Sequence, residues 1–188
     1  MRSERHVPIL TPMSDLDQRL RRYVAAAIEG DDVAIRELVR ATQPIIWRMC
    51  SALGSPGEED DLVQETYIRV LRSLPSYRGE ASVTGWMLVI GRRVCADHVR
   101  SRQRQRRLAD ALTTNATDSI FANSDPAVWE LLKSIDPDRR EAFVLTQVAG
   151  LSYDEAAEAM GCPVGTVRSR VARARADLAA EVRAAQAS

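Results

Sequence analysis

The chain has few of the residues that stabilise secreted proteins through cross-links. It holds three cysteines among 188 residues, an odd number that is widely separated and never spaced as CxxC. Such a pattern indicates neither a disulfide framework nor a cysteine-based zinc site. We therefore expect free thiols, no metal and a cytoplasmic location.

Long apolar runs are also missing. The longest uninterrupted apolar stretches, such as residues 24–28 and 86–90, are far shorter than the roughly 18 residues that cross a bilayer. Residues 1–13 contain Pro8 and Pro12 and no apolar segment of the length found in secretory signals. We expect no membrane insertion and a flexible amino-terminal tail.

An excess of charge of one sign is absent as well. Lys and Arg together number 26, Asp and Glu also number 26, and the formal net charge is zero. No whole-molecule field would draw such a chain onto nucleic acid, so any nucleic-acid function must come from local clusters. The alternation typical of strands is missing too, and apolar residues recur at three and four positions, which predicts an all-α protein.

Turn-forming residues divide the chain into two helical lobes. Residues 108–125 are rich in Thr, Asn, Ser and Asp and poor in large apolar residues, which is typical of a linker. We expect Pro44 to bend or break the second helix. The predicted organisation is a tail at 1–13, a first domain at 14–105, a flexible linker at 106–125, a second domain with a helix-turn-helix at 126–183 and a tail at 184–188. The predicted helices are 14–29, 32–53, 55–74 and 82–107 in the first lobe, and 127–134, 137–149, 152–160 and 164–183 in the second.

The second lobe carries a helix-turn-helix pattern. Ser152 and Glu155 have the spacing of a capping box, and Gly161 permits a tight turn before a helix that starts near Pro163. An arginine-rich polar face on that helix suits the major groove of DNA, although a solvated helix end is the alternative. Its buried stripe is predicted at Val167, Val171, Ala174 and Leu178. Its polar face holds Thr166, Ser169, Arg170 and Arg173, flanked by Arg168 and Arg175.

An acidic segment opens the third predicted helix, where residues 58–65 include five acids. On a helical wheel Asp61, Glu65 and Arg72 point outward, with Gln64 on the flank and an exposed Ile68 beside them. An apolar side chain among exposed acids indicates a surface that docks another protein. Solvation matched to the helix dipole is an alternative, and a carboxylate metal site is disfavoured because the ligands would lie on one exposed helix.

The fourth predicted helix becomes strongly basic after its apolar start. Seven arginines and one acid lie between residues 92 and 107, and Arg93, Arg100, Arg104 and Arg107 share one face. Such a stripe suits a phosphate backbone, with a solvated face as the alternative. The preceding loop, residues 76–82, combines an aromatic residue, an arginine and flexible residues, so it either cups an unstacked base or is only a turn.

These motifs together resemble a bacterial extracytoplasmic-function (ECF) sigma factor, the group four class of the sigma-70 family, over residues 15–183. Residues 60–66 resemble the family's DLVQET-type docking motif, and residues 77–82 followed by Trp86 resemble its FRGE…W segment. Residues 162–170 resemble its last recognition helix. The chain departs from the family at residues 83–85, where an aromatic, an arginine and a threonine are common, and at Gly91, where alanine is commoner.

The resemblance implies a dissociable specificity subunit of RNA polymerase with no catalytic site and no cofactor. It would bind core RNA polymerase at the β′ clamp helices and the β flap, bind promoter DNA, and be controlled by an anti-sigma factor. The linker would run toward the active centre and the RNA exit. Core binding would use Asp61, Gln64, Glu65 and Ile68. The minus-ten element would be bound by Tyr77, Arg78, Gly79, Trp86, Arg93, Arg100 and Arg104. The minus-thirty-five element would be bound by Thr166, Arg168, Ser169, Arg170 and Arg173.

Two other hypotheses fit parts of the sequence. A free-standing helix-turn-helix regulator would bind a palindromic duplex without polymerase, but it leaves the basic stripe of the fourth helix unused. A metal-dependent nucleic-acid enzyme would use the acidic segment and cleave in the presence of Mg²⁺ or Mn²⁺.

Overall fold

The computed structural model describes residues 15–110 and 131–186, with side chains of 106–110 left out. Helices account for most of these residues, and no strand occurs within them, so the all-α prediction is confirmed. The predicted tail at 1–13, residues 111–125 of the predicted linker and the start of the predicted helix 127–134 lie outside the described residues. The first lobe contains α1 (Asp15–Ile28), α2 (Asp32–Leu53), α3 (Glu59–Ser73), a 3₁₀ turn (Leu74–Ser76) and α4 (Val83–Asp110). The second lobe contains a helical segment at 131–134, α5 (Pro137–Phe143), a π-helix (Val144–Val148), α6 (Tyr153–Met160) and α7 (Val164–Gln186).

The turn between α1 and α2 is fixed by two local features. Gly30 adopts a positive φ of 91°, which a residue without a side chain reaches at no steric cost. Asp31 then caps α2, because its Oδ1 accepts from the backbone N–H groups of Val33 and Ala34 at 2.7 and 3.2 Å. The two helices pack against each other directly after this turn.

The prediction for Pro44 is wrong in one respect, because α2 is not broken there. The helix runs without interruption from Asp32 to Leu53 with the proline inside it. Packing outweighs the lost backbone hydrogen bond, since Leu38, Ile46 and Met49 on either side of Pro44 are fully buried.

The second lobe differs from its prediction after Phe143. A single helix was expected over 137–149, but the backbone widens into a π-helix, and Ala149 N–H donates to Val144 O at 2.8 Å. Leu151 N–H then donates to Leu145 O at 2.9 Å, which closes the turn before α6. Helical periodicity alone does not distinguish an i→i+5 turn from an i→i+4 turn, so the π-helix could not be predicted from the pattern of apolar residues.

The two lobes are packed against each other. The π-helix lies on α2, and buried apolar side chains of both lobes belong to one hydrophobic cluster. All three cysteines are free, as expected, with Cys50 and Cys95 buried in the first lobe. The described part of the chain contains no helix long and apolar enough to span a membrane.

Candidate functional site

The helix-turn-helix is built as its sequence predicts. The Ser152 Oγ accepts from Glu155 N–H at 3.2 Å, and the Glu155 carboxylate accepts from Ser152 N–H at 2.9 Å. Both halves of the capping box are therefore present at the start of α6. Gly161 ends α6 in the left-handed conformation with a φ of 63°, and α7 begins three residues later at Val164.

The polar face of α7 is open along most of its predicted length. Val167, Val171 and Ala174 are buried, and Leu178 packs against them half-buried. The predicted DNA residues Arg168, Ser169 and Arg173 are exposed, and Thr166 is half-buried.

Arg170, on the polar face of α7, is held by contacts within the second lobe. It forms an ion pair with Asp138 of α5, and its Nη1 lies 3.7 Å from the Cys162 Sγ. Arg170 therefore positions α7 on α5, and it would have to leave Asp138 before touching DNA. Its side chain is only 26% exposed.

The acidic face of α3 matches its prediction except at one residue. Asp61 and Gln64 are exposed, whereas Glu65 is partly exposed and bonds Arg69 Nε at 2.7 Å. Ile68 is half-buried rather than exposed. The face remains anionic at its outer edge.

The arginine stripe on α4 is also present, with Arg93, Arg100 and Arg104 all exposed. Arg100 Nη2 donates to Asp97 Oδ1 at 2.6 Å, and Asp97 Oδ2 accepts from Arg69 at 3.0 Å. These two guanidinium groups, Arg100 first, lower the pKa of Asp97. Asp97 thus forms a local polar contact with these two arginines. The predicted contribution of Arg107 concerns a side chain outside the described residues.

The loop before α4 encloses a cleft of about 230 Å³. Tyr77 and Trp86 stack at one end, with their ring centroids 5.1 Å apart and tilted by 49°. The Tyr77 hydroxyl donates to Ala81 O at 2.7 Å, and Gly79 turns the chain with a φ of 76°. An aromatic wall beside an open cleft has the form of a site for a planar base. The cleft is lined by residues 76–81, Trp86 and, from the second lobe, Glu158.

Helix α6 of the second lobe lies over this surface. Ser82 Oγ donates to Glu155 Oε1 at 2.7 Å, and a second cleft of about 170 Å³ lies between Trp86 and Arg93 on one side and Glu155 and Glu158 on the other. On the opposite side of the contact, Arg92 pairs with Glu141 of α5. Two carboxylates therefore face the surface predicted to bind DNA.

Sequence reasoning missed Asp17 and Arg21, which hold the loop from α1. Arg21 donates from Nη1 to Gly79 O at 2.9 Å and from Nη2 to Ala81 O at 3.0 Å. Only their i,i+4 spacing of opposite charges was visible in the sequence, and it indicates no more than a local ion pair. Glu141 and Glu155 were missed as contacts between the lobes for the same reason, because their partners are distant in sequence.

Comparisons with known proteins agree with this arrangement of surfaces. Residues 35–105 match the family model for sigma-70 region 2, and residues 126–178 match that for sigma-70 region 4. The chain is 38% identical over 177 residues to a probable RNA polymerase sigma-C factor of Mycobacterium bovis, covering 92% of this chain and 96% of that protein. The chain belongs to the ECF class of RNA polymerase sigma factors. This ECF factor is therefore an alternative sigma factor, and its family is one of sigma factors rather than enzymes.

Other relatives of this ECF factor extend the comparison. The ECF sigma factor EcfG of Rhodopseudomonas palustris is 32% identical over 152 residues, covering 78% of this chain and 84% of that protein. Among solved structures, CnrH in complex with the cytosolic domain of CnrY superposes with a TM-score of 0.68 at 27% identity, covering 88% of this chain and 98% of that one. The sigma factor RpoE of Bartonella quintana, in complex with the anti-sigma factor NepR, superposes with a TM-score of 0.65 at 26% identity, covering 76% and 92%.

The residues that the structure describes contain no cluster of three or more His, Cys, Asp or Glu side chains able to hold a metal ion. On α3, Glu65 pairs with Arg69.

Proposed function

We propose that this ECF factor is a cytoplasmic, non-catalytic subunit that binds core RNA polymerase and directs initiation at promoters with two elements. The first domain, 14–105, corresponds to region 2, and the second, 126–183, to region 4, joined by the linker at 106–125. Region 2 binds the β′ clamp helices and the melted minus-ten element, and region 4 binds the minus-thirty-five duplex and the β flap.

The observation that carries this proposal is the distribution of charge on the first lobe. The acids of α3 and the arginines of α4 are concentrated on two neighbouring helices of one small domain, linked by the ion pairs of Arg69 with Glu65 and Asp97, although the chain has no net charge. A protein partner for the first and a nucleic acid for the second use both surfaces at once. A free-standing helix-turn-helix regulator leaves both unexplained.

The minus-ten assignment rests on the cleft of the loop. A base that leaves the stack can enter beside Tyr77 and Trp86, where an aromatic wall contributes stacking whichever base is present. Exposed Arg93, Arg100 and Arg104 then follow the backbone of the same strand. Tyr77, Arg78, Gly79 and Trp86 form the base site in this proposal.

The minus-thirty-five assignment rests on α7. Arg168, Ser169 and Arg173 project from a helix whose other face is buried, so the helix can enter a major groove without unfolding its lobe. Thr166 and Arg170 complete the set, with Arg170 exchanging Asp138 for DNA.

We also propose control by an anti-sigma factor. RpoE and CnrH, which share this fold, were solved with NepR and with the cytosolic domain of CnrY. In this chain Trp86 and Arg93 of the first lobe face Glu155 and Glu158 of the second lobe across a cleft, which we call the seam. A polypeptide that stabilises the seam would keep the minus-ten surface covered.

Charge reversal on α3 tests the docking assignment. Asp61→Arg and Glu65→Arg are expected to weaken binding to core polymerase at least tenfold, because each replaces an attractive charge by a repulsive one at the interface. Binding is measured by fluorescence anisotropy of labelled protein against core, with circular dichroism as the check on folding. Glu181→Arg, an equal reversal at an exposed site on α7, is the matched control and should bind as the wild type does. Unchanged core binding by both α3 variants would show that the docking surface lies elsewhere.

A further inference from the structure

The loop that forms the base cleft has little internal support of its own. Within the loop, the Tyr77 hydroxyl donates to Ala81 O, and this hydrogen bond spans the loop at 2.7 Å. The carbonyls of Gly79 and Ala81 instead accept the two terminal nitrogens of Arg21, at 2.9 and 3.0 Å. A single guanidinium on α1 therefore fixes two points of the loop.

Arg21 is itself held by Asp17, one turn earlier on α1. The Asp17 Oδ2 accepts from Arg21 Nε at 2.8 Å, while its Oδ1 accepts from the backbone N–H of Val83 at 2.7 Å. Val83 is the first residue of α4, so Asp17 joins the start of that helix to the arginine that grips the loop. Asp17 is 7% exposed, which makes its two bonds costly to lose.

The loop is shaped to receive the arginine. A Cβ on Gly79 would lie 2.7 Å from Arg21 Nη1, so the approach needs a glycine there as well as a positive φ. The Arg21 Cζ lies 5.8 Å from the centre of the Tyr77 ring, on which Trp86 stacks in turn. The arginine thus reaches the aromatic wall and the main chain of the cleft together.

We infer that Asp17 and Arg21 are positioning residues for the minus-ten site, holding the loop and the first turn of α4 in the arrangement that accepts a flipped base. The inference rests on the proposed function, because it concerns the same cleft. Both residues lie in α1, outside residues 35–105 that match region 2. Leu20, Val24 and Ala27 also anchor α1 in the core, independently of these two residues.

The test uses holoenzyme reconstituted with core polymerase and a fluorescein-labelled single strand carrying the non-template minus-ten sequence of a promoter mapped with wild-type holoenzyme. Each base is replaced in turn by an abasic site, and affinity is measured by anisotropy. With the wild-type protein, the abasic site at one position should lower the affinity at least about fivefold, the lower end of what a stacked base contributes. With Arg21→Ala, the loss of affinity caused by the abasic site at that position should fall below twofold. The losses of affinity at the other positions should stay unchanged.

Three further variants sharpen the result. Arg22→Ala changes the adjacent, exposed arginine of α1 and should keep the wild-type profile. Arg21→Lys should resemble Arg21→Ala, because one ammonium cannot serve two carbonyls and Asp17 together. Asp17→Asn keeps an acceptor for Val83 and loses the carboxylate partner of Arg21, so it should give an intermediate loss and remain informative where Arg21→Ala folds poorly.

The failures of the two ideas are distinguishable. A wild-type profile with no sensitive position contradicts base capture by the loop, and hence the proposed function of the cleft. A sensitive position that Arg21→Ala and Asp17→Asn keep in full contradicts only the positioning role. An equal loss at every position would also contradict it, since that is the outcome for a residue needed only for stability.

Discussion

Exposed charged residues of the first lobe form ion pairs with one another in the unbound protein. Glu65 pairs with Arg69, Arg69 with Asp97, and Asp97 with Arg100, at 2.7, 3.0 and 2.6 Å. The four side chains are between 40% and 65% exposed, so each pair contributes little to stability. Polymerase and DNA can therefore replace these bonds at low cost, which suits residues at two binding surfaces.

A buried residue gives the first prediction, which concerns pH. Tyr67 bonds Thr42 Oγ1 at 2.9 Å inside the first lobe, and burial raises its pKa from 10.0 to about 12. Between pH 10 and 12 the unfolded chain releases a proton that the folded chain keeps, so the free energy of unfolding falls as pH rises. Tyr67→Phe should flatten this fall in urea unfolding curves recorded from pH 9 to 11.

The neighbouring threonine supplies the control. Thr42→Val removes the same hydrogen bond and leaves the phenol in place, so it should lower stability at pH 9 by about 1 kcal/mol and retain the alkaline fall. If Tyr67→Phe loses stability toward pH 11 as steeply as wild type, titration of Tyr67 is not its source.

At the scale of the helices, α4 approaches two of its neighbours closely at a glycine. It packs on α2 and α3 at Gly91, where a Cβ would lie 2.4 Å from Met49 Cε and 3.1 Å from Thr66 Cγ2. Met49 and Thr66 are both buried, so neither side chain can move out to solvent. The glycine that departs from the family's commoner alanine thus marks where this chain brings three helices together.

Substitution of two helical glycines should therefore have opposite effects. Gly91→Val should lower the free energy of unfolding by about 1–3 kcal/mol through overpacking. Gly165→Ala, on α7 with nothing within 4 Å of the added atom, should raise it by about 0.4–1 kcal/mol. Urea unfolding at neutral pH measures both. A Gly91→Val protein as stable as wild type would show that the helices can separate here at no cost.

Elements whose signals are local were predictable, and elements set by packing were not. The capping box at Ser152 and Glu155 and the turn at Gly161 lie within ten residues, and the structure forms them as predicted. The π-helix and the unbroken passage of α2 through Pro44 depend on what those segments pack against. The half-burial of Ile68 was not visible on the helical wheel either, since a wheel shows one helix without its neighbours.

On the scale of the whole molecule, the two lobes meet across the predicted minus-ten surface. Glu141 pairs with Arg92, and Glu155 accepts a hydrogen bond from Ser82. Acidic groups of the second lobe therefore lie against one side of the surface proposed to bind DNA. Gly85 permits the contact, since a Cβ there would lie 3.0 Å from Glu155 Oε1. On the proposed function, we therefore expect the lobes to separate before the minus-ten strand enters.

Reversing charges of the Arg92–Glu141 pair tests whether this contact holds the two lobes together. Glu141→Arg faces Arg92 with a like charge and should raise the radius of gyration measured by small-angle X-ray scattering, and Arg92→Glu combined with Glu141→Arg should restore it. Arg139→Glu breaks an ion pair inside the second lobe, with Asp177 at 2.9 Å, and should leave the radius unchanged. An unchanged radius for Glu141→Arg would mean that the pair does not hold the lobes together.

Long-range contacts mark the limit of the sequence analysis. The docking face, the arginine stripe and the recognition helix each lie on one helix, so a wheel could locate them. Arg21, by contrast, bonds loop residues that follow it by 58 and 60 positions in the chain. Ser82 and Glu155, which also share a hydrogen bond, are separated by 73 positions. Such pairings follow from how the helices are stacked, which no local pattern encodes.

The most direct test of the account is to map the 5′ ends of transcripts made on total genomic DNA by core polymerase with this protein. The account predicts start sites absent with core alone, sharing a minus-ten and a minus-thirty-five sequence at constant spacing, and lost with Glu65→Arg. Start sites no different from those of core alone, together with footprints of the isolated protein on palindromic DNA, would contradict it.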